Sequence, residues 1–176
     1  MNSEQVYLIL KSDPYVQATG FLGVFARDMI PITALKYPCG FVFNTDSSEQ
    51  SGTHWLLILA NENNEAYFFD SFGTPSYNNW EAATILDQRV KYSFNDRLQS
   101  NHSSLCGMYC IFILTHMARG LPPQDAISIL NTDNDLESND VLVYTYVKER
   151  YGSILSGVDI IEYPFILNQI AKAMEQ

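Results

Sequence analysis

Apolar and polar positions change their spacing along this chain, and the changes mark out its elements. Residues 3–12 carry an amphipathic pattern that predicts a short helix, ended by the Asp13-Pro14 pair. From 15 to 38, short apolar pieces are punctuated by Gly20, Gly23, Pro31 and Pro38, which reads as irregular chain with short strands or turns. Gly40-Phe41-Val42-Phe43-Asn44 predicts a strand, and the polar stretch 45–52 a loop that delivers the chain to His54. The clearest signal follows. Two apolar runs, 54–60 and 65–70, are separated by Asn61-Glu62-Asn63-Asn64, the pattern of a hairpin with a polar turn. An antiparallel pair turning there sets the start of the first strand beside the end of the second, so that His54 and Asp70 face each other.

Beyond the hairpin, residues 80–88 predict a helix with Ala82, Ala83, Ile85 and Leu86 inward, and 90–94 alternate as a further strand. Residues 106–119 form a strongly apolar helix, with Ser103 and Ser104 as caps and Gly120 as its stop. Two more helices are expected over 122–130 and 139–149, and a helical tail over 160–173, broken near Pro164. No repeat or low-complexity tract interrupts this order, so residues 1–176 read as one domain.

Composition narrows the class. Apolar residues make up 47% of the chain and charged residues 17%, which is globular. The net charge is -10, and the densest basic group, Arg89, Lys91 and Arg97, reads as solvated strand edges. A field of that sign repels phosphate backbones, which argues against nucleic acid as a partner. The three cysteines, 39, 106 and 110, have no metal spacing, and their odd number without a secretory leader points to reduced thiols. The opening apolar run 6–10 is short and preceded by Glu4, unlike a signal peptide. The stretch 105–118 is interrupted by Thr115 and His116 and is too short for a bilayer. A chain that is neither secreted nor in a membrane is expected.

Chemistry enters with His54, Asp70, Gln99 and Cys106, in that order. A thiol becomes a strong nucleophile when a base stands beside it and a third group fixes that base. Cys106 would be that nucleophile, in the first turn of a helix, where unpaired N–H groups favour an ionised thiol. Taken alone, a cysteine there is more often a packed small hydrophobe, as Cys110 one turn deeper is read to be. His54 would be the general base and acid, and Asp70 would orient it. Gln99, an ordinary loop amide by itself, lies close enough to Cys106 to serve as an oxyanion donor. Gly52, Trp55 and Gly107 flank base and nucleophile and are candidates for substrate contact, with core packing the plain alternative for Trp55. His102 is a rival base without an obvious orienting acid, and His116 reads as a polar residue near a helix C-terminus. No GxSxG elbow supports a serine nucleophile, and the histidine spacing supports no zinc site, so neither a metal nor a cofactor is expected.

The motifs Gly52-Thr53-His54-Trp55, Phe69-Asp70-Ser71-Phe72-Gly73 and Gln99 to Cys106-Gly107 resemble the adenovirus-type maturation cysteine proteases (adenain-like, also carried by virophages and Polinton elements). These share a clan with the SUMO-specific proteases. Ser3-Glu4-Gln5 and Gly20-Phe21-Leu22-Gly23 are similar to that family's opening, so the resemblance covers about residues 1–120. It implies an α+β fold: a mixed, mainly antiparallel central sheet flanked by helices, with the nucleophile Cys at the N-terminus of a buried central helix. It also implies cleavage of capsid or core precursor polypeptides near glycine during virion maturation, in the virion and the host nucleus or cytoplasm. Two departures matter. Asp70 stands where adenoviral enzymes often have Glu, and this acidic chain has no cysteine shortly before Cys106 to tether an activating peptide. DNA and a disulfide-linked peptide are therefore not carried over, which leaves a peptide docking non-covalently on a strand edge, or encapsidation with the substrate, as the forms that any control would take. The rival readings are a deubiquitinase or SUMO-type protease acting on host conjugates, an acetyltransferase using an acyl-cysteine, and a non-enzymatic capsid or scaffold protein.

Overall fold

The computed structural model describes residues 1–32, 35–36, 38–63, 65–74, 96–130 and 135–154, and the backbone of 90–93. The helix expected over 80–88 and the tail over 160–173 lie outside these residues. Helix α1 (Ser3–Ser12) opens with a capping box. Asn2 Oδ1 accepts from the Gln5 N–H at 2.9 Å, while the Asn2 N–H donates to Gln5 Oε1 at 2.8 Å. Asp13 then caps a second helix, α2 (Pro14–Ala18), with Pro14 at its first position. The Asp13-Pro14 pair thus ends one helix and starts another. Proline needs no N–H at that position, so the stretch read as irregular begins helically.

Among the described residues the sheet has five strands, in the order β1-β2-β3-β4-β5. These are β1 (Phe21–Ala26), β2 (Cys39–Asn44), β3 (Trp55–Ala60), β4 (Ala66–Phe69) and β5 (Val90–Ser93). The two central pairings are antiparallel and the two outer ones parallel, a mixed sheet whose antiparallel part lies at its middle. Strand alternation divides its apolar side chains between two faces. Val42, Trp55, Leu57 and Phe69 join a core with the helices, while Phe41, Phe43, Leu56, Ile58 and Phe68 form a second cluster on the other side. Among the described residues, that second cluster is completed by Ile30 and covered by Phe25 and Leu35, and every described α-helix contributes to the first.

The first face is filled by α3 (Cys106–Met117), buried from Cys106 through Thr115. A helix apolar on all sides belongs inside a fold, and α3 lies between β3 and α5 (Leu136–Tyr151). Ser103 and Ser104 do not cap it: Leu105 holds the cap position, and Ser103 Oγ instead accepts from the Leu105 N–H at 3.3 Å. The Gly120 N–H donates to Met117 O just past its end. Helix α4 (Pro123–Ser128) follows, and α5 starts three residues earlier than expected because Asp135 caps the N–H groups of Glu137 and Ser138. No helix among the described residues is long and apolar enough to cross a membrane.

Candidate active site

The β3–β4 hairpin brings His54 and Asp70 together, with one refinement of register. Leu57 pairs with Phe69, and continuing that register sets His54 across from Phe72, with Asp70 its diagonal neighbour. The side chains meet across that diagonal: His54 Nε2 donates to Asp70 Oδ1 at 2.8 Å. The same oxygen accepts the Phe72 N–H at 2.8 Å, so the turn after β4 holds the buried carboxylate in place. The Phe72 ring lies 5.0 Å from the imidazole, centroid to centroid, and the Arg97 guanidinium lies over the same ring, 5.2 Å from its centroid.

His54 Nδ1 is buried and has no hydrogen-bond partner, which leaves it the free nitrogen of the ring. Burial by itself would lower the imidazole pKa. The hydrogen bond to Asp70, the nearness of the Cys106 thiol and the charge of both outweigh burial and raise it to about 9. The ring therefore holds its proton at neutral pH.

Cys106 occupies the first position of α3, and no cysteine of the chain is in a disulfide. Cys110, one turn on, is wholly enclosed, and burial pushes its thiol well above the usual range. The two thiols thus differ in surroundings as the sequence leads one to expect. Gly107 has a packing role of its own, since a Cβ there would come within 3.1 Å of both Trp55 and Val6. Trp55 is 7% exposed and packs in the helix-side core against the start of α3.

Gln99 has no exposed surface and is fastened at both ends. Its Oε1 accepts from Ser71 Oγ at 2.6 Å, and its Nε2 donates to Ser103 O at 2.8 Å, with Ser103 Oγ at 3.2 Å. Ser71 O also accepts the N–H groups of Leu98 and Gln99. The turn that follows the acid thus docks the loop that leads to Cys106. Ser103 reads from the sequence as a helix cap and Ser71 only as part of the acid's motif, so neither is legible there as a brace for Gln99.

Gly52 sits at φ +80, and a Cβ there would come within 2.8 Å of Asn44 Nδ2. Only glycine fits both that backbone and that contact. Gly52, Trp55, Asn44, Ser47 and Gln50 line a cleft of about 230 Å³. His102 is exposed in its loop. His116 is held within the helical layer, its Nδ1 donating to Phe112 O at 2.7 Å and its ring against Phe112 and Tyr146. Among the described residues no group of His, Cys, Asp and Glu could hold a metal ion.

No protein-family model matches the chain. The protease of porcine adenovirus A serotype 3 is 27% identical over 120 residues, which cover 59% of this chain and 59% of that protein. The protease of bovine adenovirus C serotype 10 is 32% identical over 88 residues, 42% of this chain and 45% of that protein. The chain thus spans about half the length of the curated relatives it matches. Among solved structures, the central domain of the Legionella pneumophila protein Lpg1148 superposes with a TM-score of 0.53 at 13% identity. That alignment covers 89% of this chain and 98% of that domain, and it is a likeness of fold. The resemblance read from the motifs is borne out as far as it is one: over about half its length this α+β chain is similar in sequence to adenovirus proteases.

Proposed function

We propose that the chain is a cysteine endopeptidase that cleaves viral capsid or core precursor proteins beside glycine during virion maturation. One observation carries the reading: His54 is fixed through Nε2 by a buried carboxylate, and its unpartnered Nδ1 is left to a thiol at a helix start. In this mechanism His54 Nδ1 carries the proton taken from Cys106, and Sγ attacks the scissile carbonyl carbon. The oxyanion forms against the Cys106 N–H, one of the unpaired donors of the first helical turn. Gln99 supplies a second donor by turning one amide hydrogen from its longer contact with Ser103 Oγ. The imidazolium returns its proton to the leaving amine, which leaves a thioester on Cys106. A water, deprotonated by His54, then attacks the thioester carbonyl and frees the thiol. Throughout, Asp70 holds the ring in one orientation and stabilises its charge.

The cleft bounded by Gly52 and Trp55 is lined by neither Cys106 nor His54, so in this reading it takes a part of the substrate away from the cut. Control in this reading comes from a peptide docking non-covalently on an exposed strand edge, or from packaging with the substrate in virion or infected cell. The test is cleavage of a capsid precursor and of a ubiquitin-like fusion in parallel, each with and without duplex DNA. Cleavage of the precursor next to glycine, abolished in Cys106→Ala, is expected, with no salt-sensitive stimulation by DNA. Preference for the ubiquitin-like fusion would replace maturation with deconjugation, and no cleavage of either would end the peptidase reading.

A further inference from the structure

The loop between Gln99 and Cys106 is held from a second side, by two buried polar residues of α5 that the proposed chemistry does not use. Asn139 and Asp140 are 3% and 1% exposed. Asp140 Oδ2 accepts from Ser100 Oγ at 2.6 Å, and its Oδ1 lies 2.7 Å from Tyr109 Oη. Leu98 O receives both Tyr109 Oη, at 3.0 Å, and Asn139 Nδ2, at 3.1 Å. Asp140 also interacts with the Ser103 side chain. The contacts therefore fall on residues 98, 100 and 103, on both sides of Gln99. Ser71 grips the same loop from the acid's turn.

We propose that Asp140, with Asn139 and Tyr109, is a positioning residue that sets the backbone around Gln99 and so the donor side of the oxyanion site. The inference rests on the peptidase reading above. A count of protons supports the design. Tyr109 has one hydroxyl hydrogen and two acceptors, Leu98 O and Asp140 Oδ1. If Asp140 carries a proton on Oδ1, that proton goes to Tyr109 Oη and the tyrosine hydrogen goes to Leu98 O. Every bond in the set is then made at once. Burial, which pushes the Asp140 pKa up against the opposing hydrogen bonds, favours that arrangement. An amide in place of the carboxyl reproduces it, with Nδ2 donating to Tyr109 and Oδ1 accepting from Ser100.

The variants Asp140→Ala, Asp140→Asn and Ser100→Ala, with Asp13→Ala as a control for lost stability alone, separate this role from a purely structural one. In peptide hydrolysis, Asp140→Ala should lower kcat about 10²-fold, the size expected for a misplaced catalytic group, with KM within twofold. Asp140→Asn should restore kcat to within about threefold of the parent. Alkylation of Cys106 by iodoacetamide needs no oxyanion donor and should be unchanged in both. Hydrogen exchange of the amides of 98–105 should quicken in Asp140→Ala and, less, in Ser100→Ala, while α3 stays protected. Unchanged exchange, an unchanged kcat, an asparagine variant as impaired as the alanine one, or an equal kcat loss in Asp13→Ala would each overturn the proposal. If Asp140→Ala does not fold, Ser100→Ala decides by the same readouts. If the parent protein cleaves no substrate, the peptidase reading has failed, and the clamp on 98–103 stands or falls by exchange alone.

Discussion

Two buried carboxylates show how one chemical group serves two ends. Asp13 sits where α1 meets α2, and its oxygens are filled by fixed donors. Oδ1 takes the Tyr15 and Val16 N–H groups, and Oδ2 takes Tyr151 Oη at 2.5 Å and Arg119 Nη2 at 2.6 Å. The knot ties the N-terminal helices to the end of α3 and to α5. Asp70 is as deeply buried, but its ionic partner is a histidine, which can give up its charge, and that histidine keeps one nitrogen unpartnered. A carboxylate with every partner in place is a staple. One whose partner retains an open position can pass a proton on. The difference lies in the partners and not in burial, which is nearly the same for both.

The widest separation between the two knots is in activity. Cys106→Ala and His54→Ala should each reduce turnover on the order of 10⁶-fold, because members of such a unit fail together. Cys110→Ala should leave catalysis intact. Preferential alkylation of Cys110 or Cys39 over Cys106, read by peptide mapping, would undo the assignment of the nucleophile. Asp70→Asn should come next, at about 10⁴-fold, with residual activity above background because the base remains while its orientation is lost. Gln99→Ala should cost about 10²–10³-fold in kcat with little change in KM. A change confined to KM would make Gln99 a binding residue.

The hairpin was legible in the sequence because its apolar runs are bounded by polar residues, and so was the buried helix that begins at Cys106. The pairing of His54 with Asp70 followed from the hairpin, though its diagonal reach depends on register, which residue types leave open. Helix α2 was hidden because Asp13-Pro14 looks the same whether it stops a helix or starts one. The bracing of Gln99 was hidden for a different reason. Ser71, Ser100, Ser103 and Asp140 are far apart in sequence, and short polar residues there look like loop and cap residues until the chain folds them together.

Asp13 should give the converse of Asp70. Asp13→Ala removes a helix cap and leaves Arg119 and Tyr151 without their acceptor, and breaking such a buried pair costs about 3 kcal/mol. Urea unfolding should show that loss in the midpoint, while kcat measured well below the melting temperature stays at the parent value. A fall in kcat without a fall in stability would mean that this knot also shapes the site.

The smallest effect, and the one that sets the two knots on opposite ends of the pH scale, is in thermal stability. Burial raises the Asp13 carboxyl, but Tyr151, Arg119 and the Val16 N–H outweigh it and hold the pKa below the usual carboxylate value. Its contribution is therefore present above the unfolded pKa and lost as pH falls through the lowered one. His54 runs the other way. Its pKa is raised to about 9 in the folded chain, so the stability of the imidazolium is fully present below the unfolded value near 6.5 and drains away as pH rises through 9. Between pH 7 and 9.5 the melting temperature of the parent should fall about 5–10 °C, since a pKa moved from 6.5 to about 9 loses roughly 2.4 kcal/mol over that range in a domain of this length. In His54→Gln that alkaline slope should vanish while the acid limb remains, and in Asp13→Ala the acid limb should flatten while the alkaline slope remains. An alkaline slope that persists without His54 would mean that its proton is not held by Asp70 and Cys106, and the contrast between the two knots would then rest on geometry alone.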